Sequence, residues 1–267
     1  MQIEKTTRAK TITTSIVLAV ALATSGCGSD DGQQLEPATF GSETPEEREA
    51  LVAIAGGEMS VVAFLMALVV NGAADESGCP AKAVSGNVIT LTGGGCTSPD
   101  GVEFTGTVIL ENVQLDLFAE DRPDPTKASV LDFDRFQMKA PQGTTTLNGA
   151  LTLSPEAVDG SSSLTDSFSF SAIGRDAETG EPIDIAFAQE TTLNCAGGDA
   201  NQTCTFVDSS AELSGVGRFV LEGSFGDSGG VVTLRGDNTM TIDMAEDVNG
   251  CVALQIDGTA AGTVCDE

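Results

Sequence analysis

The most constraining feature of the sequence is a long apolar helix near the beginning of the chain, predicted from Thr44 to Gly72. Its start is marked by a capping box between Thr44 and Glu47, with Pro45 at the first helical position. Gly72 supplies a C-terminal stop. Inside it, Val61–Val70 is an unbroken apolar run, so the helix has no polar face there and we expect the fold to bury it on all sides.

This helix is not expected to cross a bilayer. Four residues interrupt its first half: Gly56, Gly57, Glu58 and Ser60. The unbroken apolar run is therefore well short of the roughly 20 residues that a membrane span requires. The Gly56-Gly57 pair predicts either a kink or the junction of two shorter helices. A helix in the core of the domain is the better interpretation.

From Val84 onward the apolar period changes from helical to two, which is typical of antiparallel strands with one buried face. The alternating sets are Val113, Leu115 and Leu117; Leu147, Leu151 and Leu153; Phe168 and Phe170; Ile183, Ile185 and Phe187; Phe219, Leu221 and Phe225; Met240, Ile242 and Met244; and Val252, Leu254 and Ile256. Gly-rich and Asp-Gly turns separate them. The pattern predicts about twelve strands in a meander.

The predicted fold class is therefore mainly β with one N-terminal helix. A sheet with a single apolar face must curl to hide that face, so we expect a curved open barrel or U-shaped sheet around the helix. A two-sheet β-sandwich is the alternative. A β-solenoid is a third option, against which the sequence shows no repeat of fixed period.

The first 26 residues have the pattern of an export signal. Basic residues are followed by an apolar segment over Ile16–Ala23, and the small residues Ser25 and Gly26 precede Cys27. This junction resembles the lipobox of bacterial lipoproteins, with Thr24 at the position that is usually aliphatic. The resemblance implies that Cys27 carries the lipid and becomes the mature N-terminus. The alternative is a secreted soluble protein in which Cys27 is an odd thiol.

The other six cysteines predict three disulfides, because an even number in an exported chain is typical of oxidised pairs. Six cysteines allow 15 pairings. Cys251 and Cys265 are symmetric about Gly258, so a three-residue loop over 257–259 would place them opposite each other on a hairpin. Cys195 and Cys204 bracket a loop-forming segment. Cys79 with Cys96 then follows by elimination.

These features divide the chain into a signal peptide at 1–26, a flexible lipid-anchored tether at 27–43 and a single helix-plus-β domain at 44–267. In the sorting rule known for bacterial lipoproteins, an Asp after the lipidated cysteine retains the protein at the inner membrane. Gly28 occupies that position. The expected location is therefore the cell envelope, anchored to the outer membrane.

The mature chain is strongly acidic. Removing the leader's three basic residues and one acid from 12 Lys and Arg and 40 Asp and Glu leaves a net charge near −30. Such a field repels nucleic acid and anionic surfaces, so no nucleic-acid partner is expected. The simplest interpretation is a highly soluble surface, and the sequence gives no indication of oligomeric state.

The sequence gives no support for an enzyme. Residues 226–230 spell GDSGG, which looks like the nucleophile segment of chymotrypsin-like serine proteases, but the chain has no histidine to take the serine proton. We interpret the segment as a turn. Absence of histidine also disfavours a transition-metal cofactor. Calcium candidates are Asp121 with Asp124 and Asp132 with Asp134, although neither pair matches EF-hand spacing and solvated acids are preferred.

Two functions compete on this basis. The first is a structural or interaction protein of the envelope, without a cofactor, in which the helix fills the interior of the sheet. The second is a carrier that holds a lipid-like ligand against the concave apolar face, similar in architecture to the bacterial lipoprotein carriers that pair a curved sheet with helices. Direct packing of Phe64, Leu65, Met66 and Leu68 on the sheet's phenylalanines would favour the first, and an apolar void the second.

Overall fold

The described part of the chain folds as two helices and one antiparallel sheet. The computed structural model describes residues 35–113, 124–155, 157, 160–175, 182–197, 202–245 and 250–265. The helices are α1 (Pro45–Ala55) and α2 (Glu58–Ser77). The strands are β1 (Ala81–Ser85), β2 (Val88–Thr92), β3 (Cys96–Thr97), β4 (Glu103–Glu111), β5 (Ser129–Ala140), β6 (Gly143–Leu153), β7 (Ser162–Arg175), β8 (Pro182–Ala196), β9 (Thr203–Leu213), β10 (Gly217–Gly226), β11 (Val231–Arg235), β12 (Thr239–Asp243), β13 (Cys251–Ile256) and β14 (Thr259–Cys265).

The sheet is an open meander. Strands follow one another in chain order from β1 to β14, except that the short β3 pairs only with β4. The edge strands β1 and β14 do not pair with each other, so the sheet is curved but not closed. Helix α2 contacts β1 and β2, whereas α1 contacts β11 and β14. The packed pair of helices therefore lies between the two edges of the sheet, which confirms the predicted fold class of a curved open sheet with helical structure.

The predicted helical segment is two helices, joined at the Gly56-Gly57 pair where the sequence predicts a kink or a junction. Thr44 caps α1 with the expected capping box, and Gly57 adopts a left-handed conformation (φ +72°) that separates α1 from α2. The predicted stop at Gly72 is wrong, because α2 continues to Ser77 and ends at a left-handed Gly78. A Cβ at Gly72 would meet no other atom, so this glycine is simply tolerated on an open side of the helix.

The described residues form fourteen strands where the sequence predicts about twelve, since two short strands near the beginning of the sheet carry little apolar alternation. Most of the predicted alternating sets have the expected buried face, including Phe168 and Phe170 on β7. Val113 lies beyond the end of β4, and its predicted partners Leu115 and Leu117 are outside the described residues.

Two β-bulges change which residues face the core. In β5, the pairing register shifts between Phe133 and Phe136 at Arg135, which has a φ of +45°. Phe133 and Phe136 are an odd number of residues apart, yet both are buried, because the extra residue restores the inward direction. An equivalent shift occurs in β9 at Asp208, with a φ of +46°. Bulges of this kind also bend the strands, which favours a curled sheet.

The three disulfides join neighbouring cysteines. They are Cys79–Cys96, Cys195–Cys204 and Cys251–Cys265, the same pairs that the sequence favours. The last hairpin differs in detail. Its turn has two residues, Asp257 and Gly258, both with positive φ, rather than three. A register shift after Leu254 compensates for the shorter turn and brings Cys251 opposite Cys265.

Part of the predicted tether is packed on the domain. Ala38 and Phe40 are buried, and Pro37 forms a parallel bridge with Arg218 at the start of β10. The side-chain amide of Asn238 donates to the Phe40 carbonyl oxygen at 2.8 Å. Residues 36–40 are therefore not a flexible linker, because their apolar side chains and backbone groups find partners on the sheet.

Candidate interaction surface on helix α2

Helix α2 has a buried inner face composed mainly of small residues. Its buried positions recur every three or four residues, as expected for one side of a helix. They are Ser60, Ala63, Ala67, Val70 and Ala74. The four apolar members belong to the same core cluster as the phenylalanines of the sheet. Small side chains allow the helix to approach the sheet closely along this line.

The one polar residue on the inner face takes part in a buried hydrogen-bond cluster. Ser60 Oγ donates to Asp166 Oδ2 on β7 at 2.7 Å, and Gln189 Nε2 on β8 donates to the same oxygen at 2.5 Å. Thr191 donates to Asp166 Oδ1 from its hydroxyl at 2.6 Å and from its backbone N–H at 3.2 Å. We call these four residues the Asp166 cluster. Asp166 itself is only 2% exposed.

The Asp166 cluster holds a carboxylate at a position where the strand pattern demands an apolar residue. Burial raises the pKa of the Asp166 carboxyl above its usual range, and the hydrogen bonds from Thr191, Ser60 and Gln189 oppose that rise. All four donors are neutral groups. The cluster therefore connects α2 to β7 and β8 with a fixed direction, which apolar packing of alanines does not provide.

The raised pKa of Asp166 predicts a specific pH dependence. Between the unfolded value near 3.8 and the higher folded pKa, the folded state binds more protons than the unfolded state. The free energy of unfolding attributable to Asp166 should therefore fall as the pH rises through this window, and stay constant above it. Urea unfolding of the wild type and Asp166→Asn at a series of pH values isolates this contribution. A wild type that gains stability relative to Asp166→Asn as the pH rises would contradict the prediction.

The outer face of α2 is apolar and uncovered. Val61 is 51% exposed and Val69 is 64% exposed. Val62, Leu65 and Leu68 are partly exposed between them, and the five residues form one stripe on a helix with 3.6 residues per turn. No charged side chain occurs between Glu58 and Asp75. We call this stripe the outer face.

The expectation that Val61–Val70 is buried on all sides is therefore wrong. The burial of the whole helix requires the open sheet to wrap around it, but this sheet leaves β1 and β14 apart, and the helices lie between these edges. Only one side of α2 then meets the core, and the other faces outward. An apolar stripe of this kind on a protein surface is typical of an interaction site.

By length and composition alone, α2 would be able to cross a membrane. Five of its residues are nevertheless buried within the domain, and Ser60 is hydrogen-bonded to Asp166. A transmembrane position would remove these contacts. The structure therefore favours α2 as a helix of the domain.

The other predicted site residues do not form a site in the described part of the chain. Cys27 and Asp121 lie outside it. Ser228 lies in the turn between β10 and β11, as predicted for the GDSGG segment. Asp124 accepts hydrogen bonds from Thr126, and Asp134 is paired with Arg135 at 3.3 Å.

The described part of the chain offers no cluster of metal ligands, and its two main depressions lie on the surface. No group of three or more Cys, Asp or Glu side chains among the described residues is arranged to hold a metal ion. The larger of two depressions, about 500 Å³, is an open surface feature between α1 and β14, lined by residues such as Arg48 and Thr263. The second lies at the ends of β6 and β8, near Ser154 and Asn194. Neither of the two lies between the sheet and α2.

The Asp166 cluster is not among the features predicted from the sequence, although the pattern of polar residues on two strands indicates it. The core-facing positions of β7 are Leu164, Asp166, Phe168 and Phe170, so an acidic residue lies among apolar ones on the buried side of the strand. On β8, Gln189 and Thr191 interrupt the same phase between Phe187 and Leu193. Adjacent polar breaks on two neighbouring strands indicate a buried polar cluster.

Comparisons with protein-family models, curated proteins and solved structures found no match for this chain.

Proposed function

We propose that the protein is a non-enzymatic, lipid-anchored protein of the cell envelope with a structural or interaction role, and that the outer face of α2 is its contact surface. The observation that carries the proposal is the exposure of this apolar stripe on a helix whose opposite side is fixed in the core. An exposed apolar stripe favours aggregation when no partner covers it, so its presence indicates a contact surface.

The packing of the interior supports an interaction role over a carrier. Phe133, Phe136, Phe168, Phe170, Phe187 and Phe219 belong to one core cluster with the inner face of α2. Phe64 and Met66 pack against that cluster, whereas Leu65 and Leu68 belong to the outer face. A carrier of this architecture would need an apolar void of several hundred Å³ beneath the helix. In the described core, the inner face of α2 and the phenylalanines of the sheet form one contact cluster instead.

The location is supported by the cysteines and the leader together. Three disulfides are stable in an oxidising compartment, outside the cytoplasm. Cys27 is the one cysteine of the sequence that the three disulfides do not use. A lipid attached at its lipobox-like junction would place the domain at a membrane. The outer membrane is the proposed site, on the basis of Gly28.

Mass spectrometry of protein purified from its native membrane tests the anchor. We expect the N-terminal peptide of the wild type to begin at an acylated Cys27. Cys27→Ser should retain residues 1–26, because the cysteine that directs acylation and cleavage is missing. Ser29→Ala is the matched control, and it should be processed as the wild type is.

A wild-type peptide that begins elsewhere, or that carries a free Cys27 thiol, would disprove the lipid anchor. The same sample tests the interaction role. A non-covalent lipid present at one molecule per protein would show that the carrier function is the correct one.

A further inference from the structure

We propose that the outer face of α2 seats at the headgroup boundary of the bilayer that holds the Cys27 lipid, so that the domain lies against its own membrane. This inference rests on the proposed lipid anchor and adds to it a second point of membrane contact. The occupant of the outer face is thus a lipid surface.

The chemistry of the outer face fits such a surface. From Val61 to Val69 the stripe extends about 12 Å along the helix, at about 1.5 Å per residue. Helices that lie in a membrane interface bury an apolar face at the level of the headgroups and keep a polar face toward water. In α2 the side opposite the outer face is the inner face, which is held against the sheet by alanine packing and the Ser60–Asp166 hydrogen bond. The sheet therefore lies where such helices have their polar face.

The length of chain before the domain keeps the domain close to the membrane. Because residues 36–40 pack on the sheet, the described chain begins at Leu35, eight residues after Cys27. A fully extended chain of eight residues spans at most about 29 Å. A lipid on Cys27 would hold Leu35 within this distance of the bilayer at all times. A short tether gives a weak apolar contact a high effective concentration, so a small apolar stripe on the domain meets the bilayer often.

The net charge favours a zwitterionic lipid surface over a second copy of the chain. Each mature chain carries a net charge near −30, so two copies repel each other on close approach. A zwitterionic bilayer has no net charge and exerts no such repulsion. The ten residues Val61–Val70 carry no charge themselves, so desolvating the outer face does not require burying an ion.

The chain contains no Trp or Tyr, so the fluorescence of a single introduced Trp is measured without background from other residues. This makes a direct test feasible. Val69→Trp places it on the outer face. Ile173→Trp is the matched control: Ile173 is 59% exposed, close to the 64% of Val69, but lies on the outward side of β7. Both variants are prepared as full mature chains with verified acylation, and reconstituted into phosphatidylcholine vesicles with and without brominated acyl chains.

With vesicles, we expect the emission of the Val69→Trp variant to shift to shorter wavelength and to be quenched by brominated lipid by roughly twofold or more. The Ile173→Trp variant should keep its emission and escape quenching. Val61→Trp, on the same stripe, should behave as Val69→Trp does, which guards against an effect peculiar to one substitution.

Three other results would overturn the proposal. If the vesicle-bound Val69→Trp variant shows no quenching, the outer face does not touch lipid and the anchor stands without it. If its indole is instead shielded from a water-soluble quencher without any lipid quenching, a second copy or another protein covers the face. If the Val69→Trp and Ile173→Trp variants are quenched equally, the contact is not specific to α2. Failure of the acylated protein to bind vesicles at all would disprove the anchor itself.

Discussion

Asp166→Ala is expected to lower the free energy of unfolding by about 3–5 kcal/mol, at about 1–3 kcal/mol for each buried group left without a partner. The substitution removes the acceptor for the hydroxyl of Ser60, the amide of Gln189 and two donors of Thr191, all in the core. Buried donors without an acceptor retain the full cost of their lost hydration. Urea unfolding followed by circular dichroism, with the disulfides intact, measures the loss.

The control for this prediction is Asp166→Asn at the same pH. An amide keeps one oxygen for Thr191, and its NH₂ group can donate to Ser60 or to a reoriented Gln189. It also avoids the charge whose burial raises the pKa of Asp166. We therefore expect Asp166→Asn to cost no more than about 1–2 kcal/mol. Equal losses for the Ala and Asn variants would show that the hydrogen bonds of the cluster contribute little.

Gly149→Ala is expected to destabilise the protein by about 4 kcal/mol. Gly149 on β6 has a φ of +108°, and a Cβ there would overlap the carbonyl oxygen of Ser167 on β7. The backbone of β7 cannot move aside without disturbing its pairing with β8 on the other side. The substitution thus combines backbone strain with a collision against another backbone. Thermal or urea unfolding monitored by circular dichroism measures the effect.

Gly262→Ala separates these two contributions. Gly262 on β14 has nearly the same φ, +109°, but a Cβ there would meet only the flexible side chain of Arg48 at 3.7 Å. Its loss should be limited to the conformational strain, about 1–2 kcal/mol. If the two variants lose the same stability, strain alone determines the cost and the predicted collision at Gly149 is absent.

The two faces of α2 have a common physical origin. Alanines and Ser60 on the inner face allow close approach to the sheet, and the Asp166 cluster fixes which side of the helix is turned inward. Rotating α2 to bury the outer face would place Val61 and Val69 in the space that Ala63 and Ala67 now occupy. It would also break the hydrogen bond from Ser60 to Asp166. The exposed apolar stripe is therefore held in place by the core beneath it.

Much of the fold follows from local sequence. The capping box at Thr44 and Glu47 and the alternating Phe168 and Phe170 are found where the sequence predicts them. Cys251 and Cys265 pair because hairpin geometry places them opposite each other. These features depend on residues close together in the chain, so the pattern of side chains contains the information required to predict them.

Other features were decided by contacts between distant residues. The inward direction of both Phe133 and Phe136 depends on a bulge at Arg135, which a strict period of two does not predict. The partners of Asp166 come from α2 and β8, with Ser60 lying 106 residues away in the chain and Thr191 lying 25 residues away. The polar breaks on β7 and β8 mark three members of the cluster, but no local pattern specifies that Ser60 of α2 meets them in the core.

The sequence by itself determined an open, curved meander with one apolar face, the cysteine pairs and an apolar helix packed against that face. Only the tertiary structure decided that the sheet does not enclose the helix, so that one side of α2 packs in the core and Val61 and Val69 face outward. The reason is physical. Burying apolar surface lowers the free energy, so each apolar residue favours a buried position. The curvature of the whole sheet, however, sets how much of the helix surface the sheet can bury.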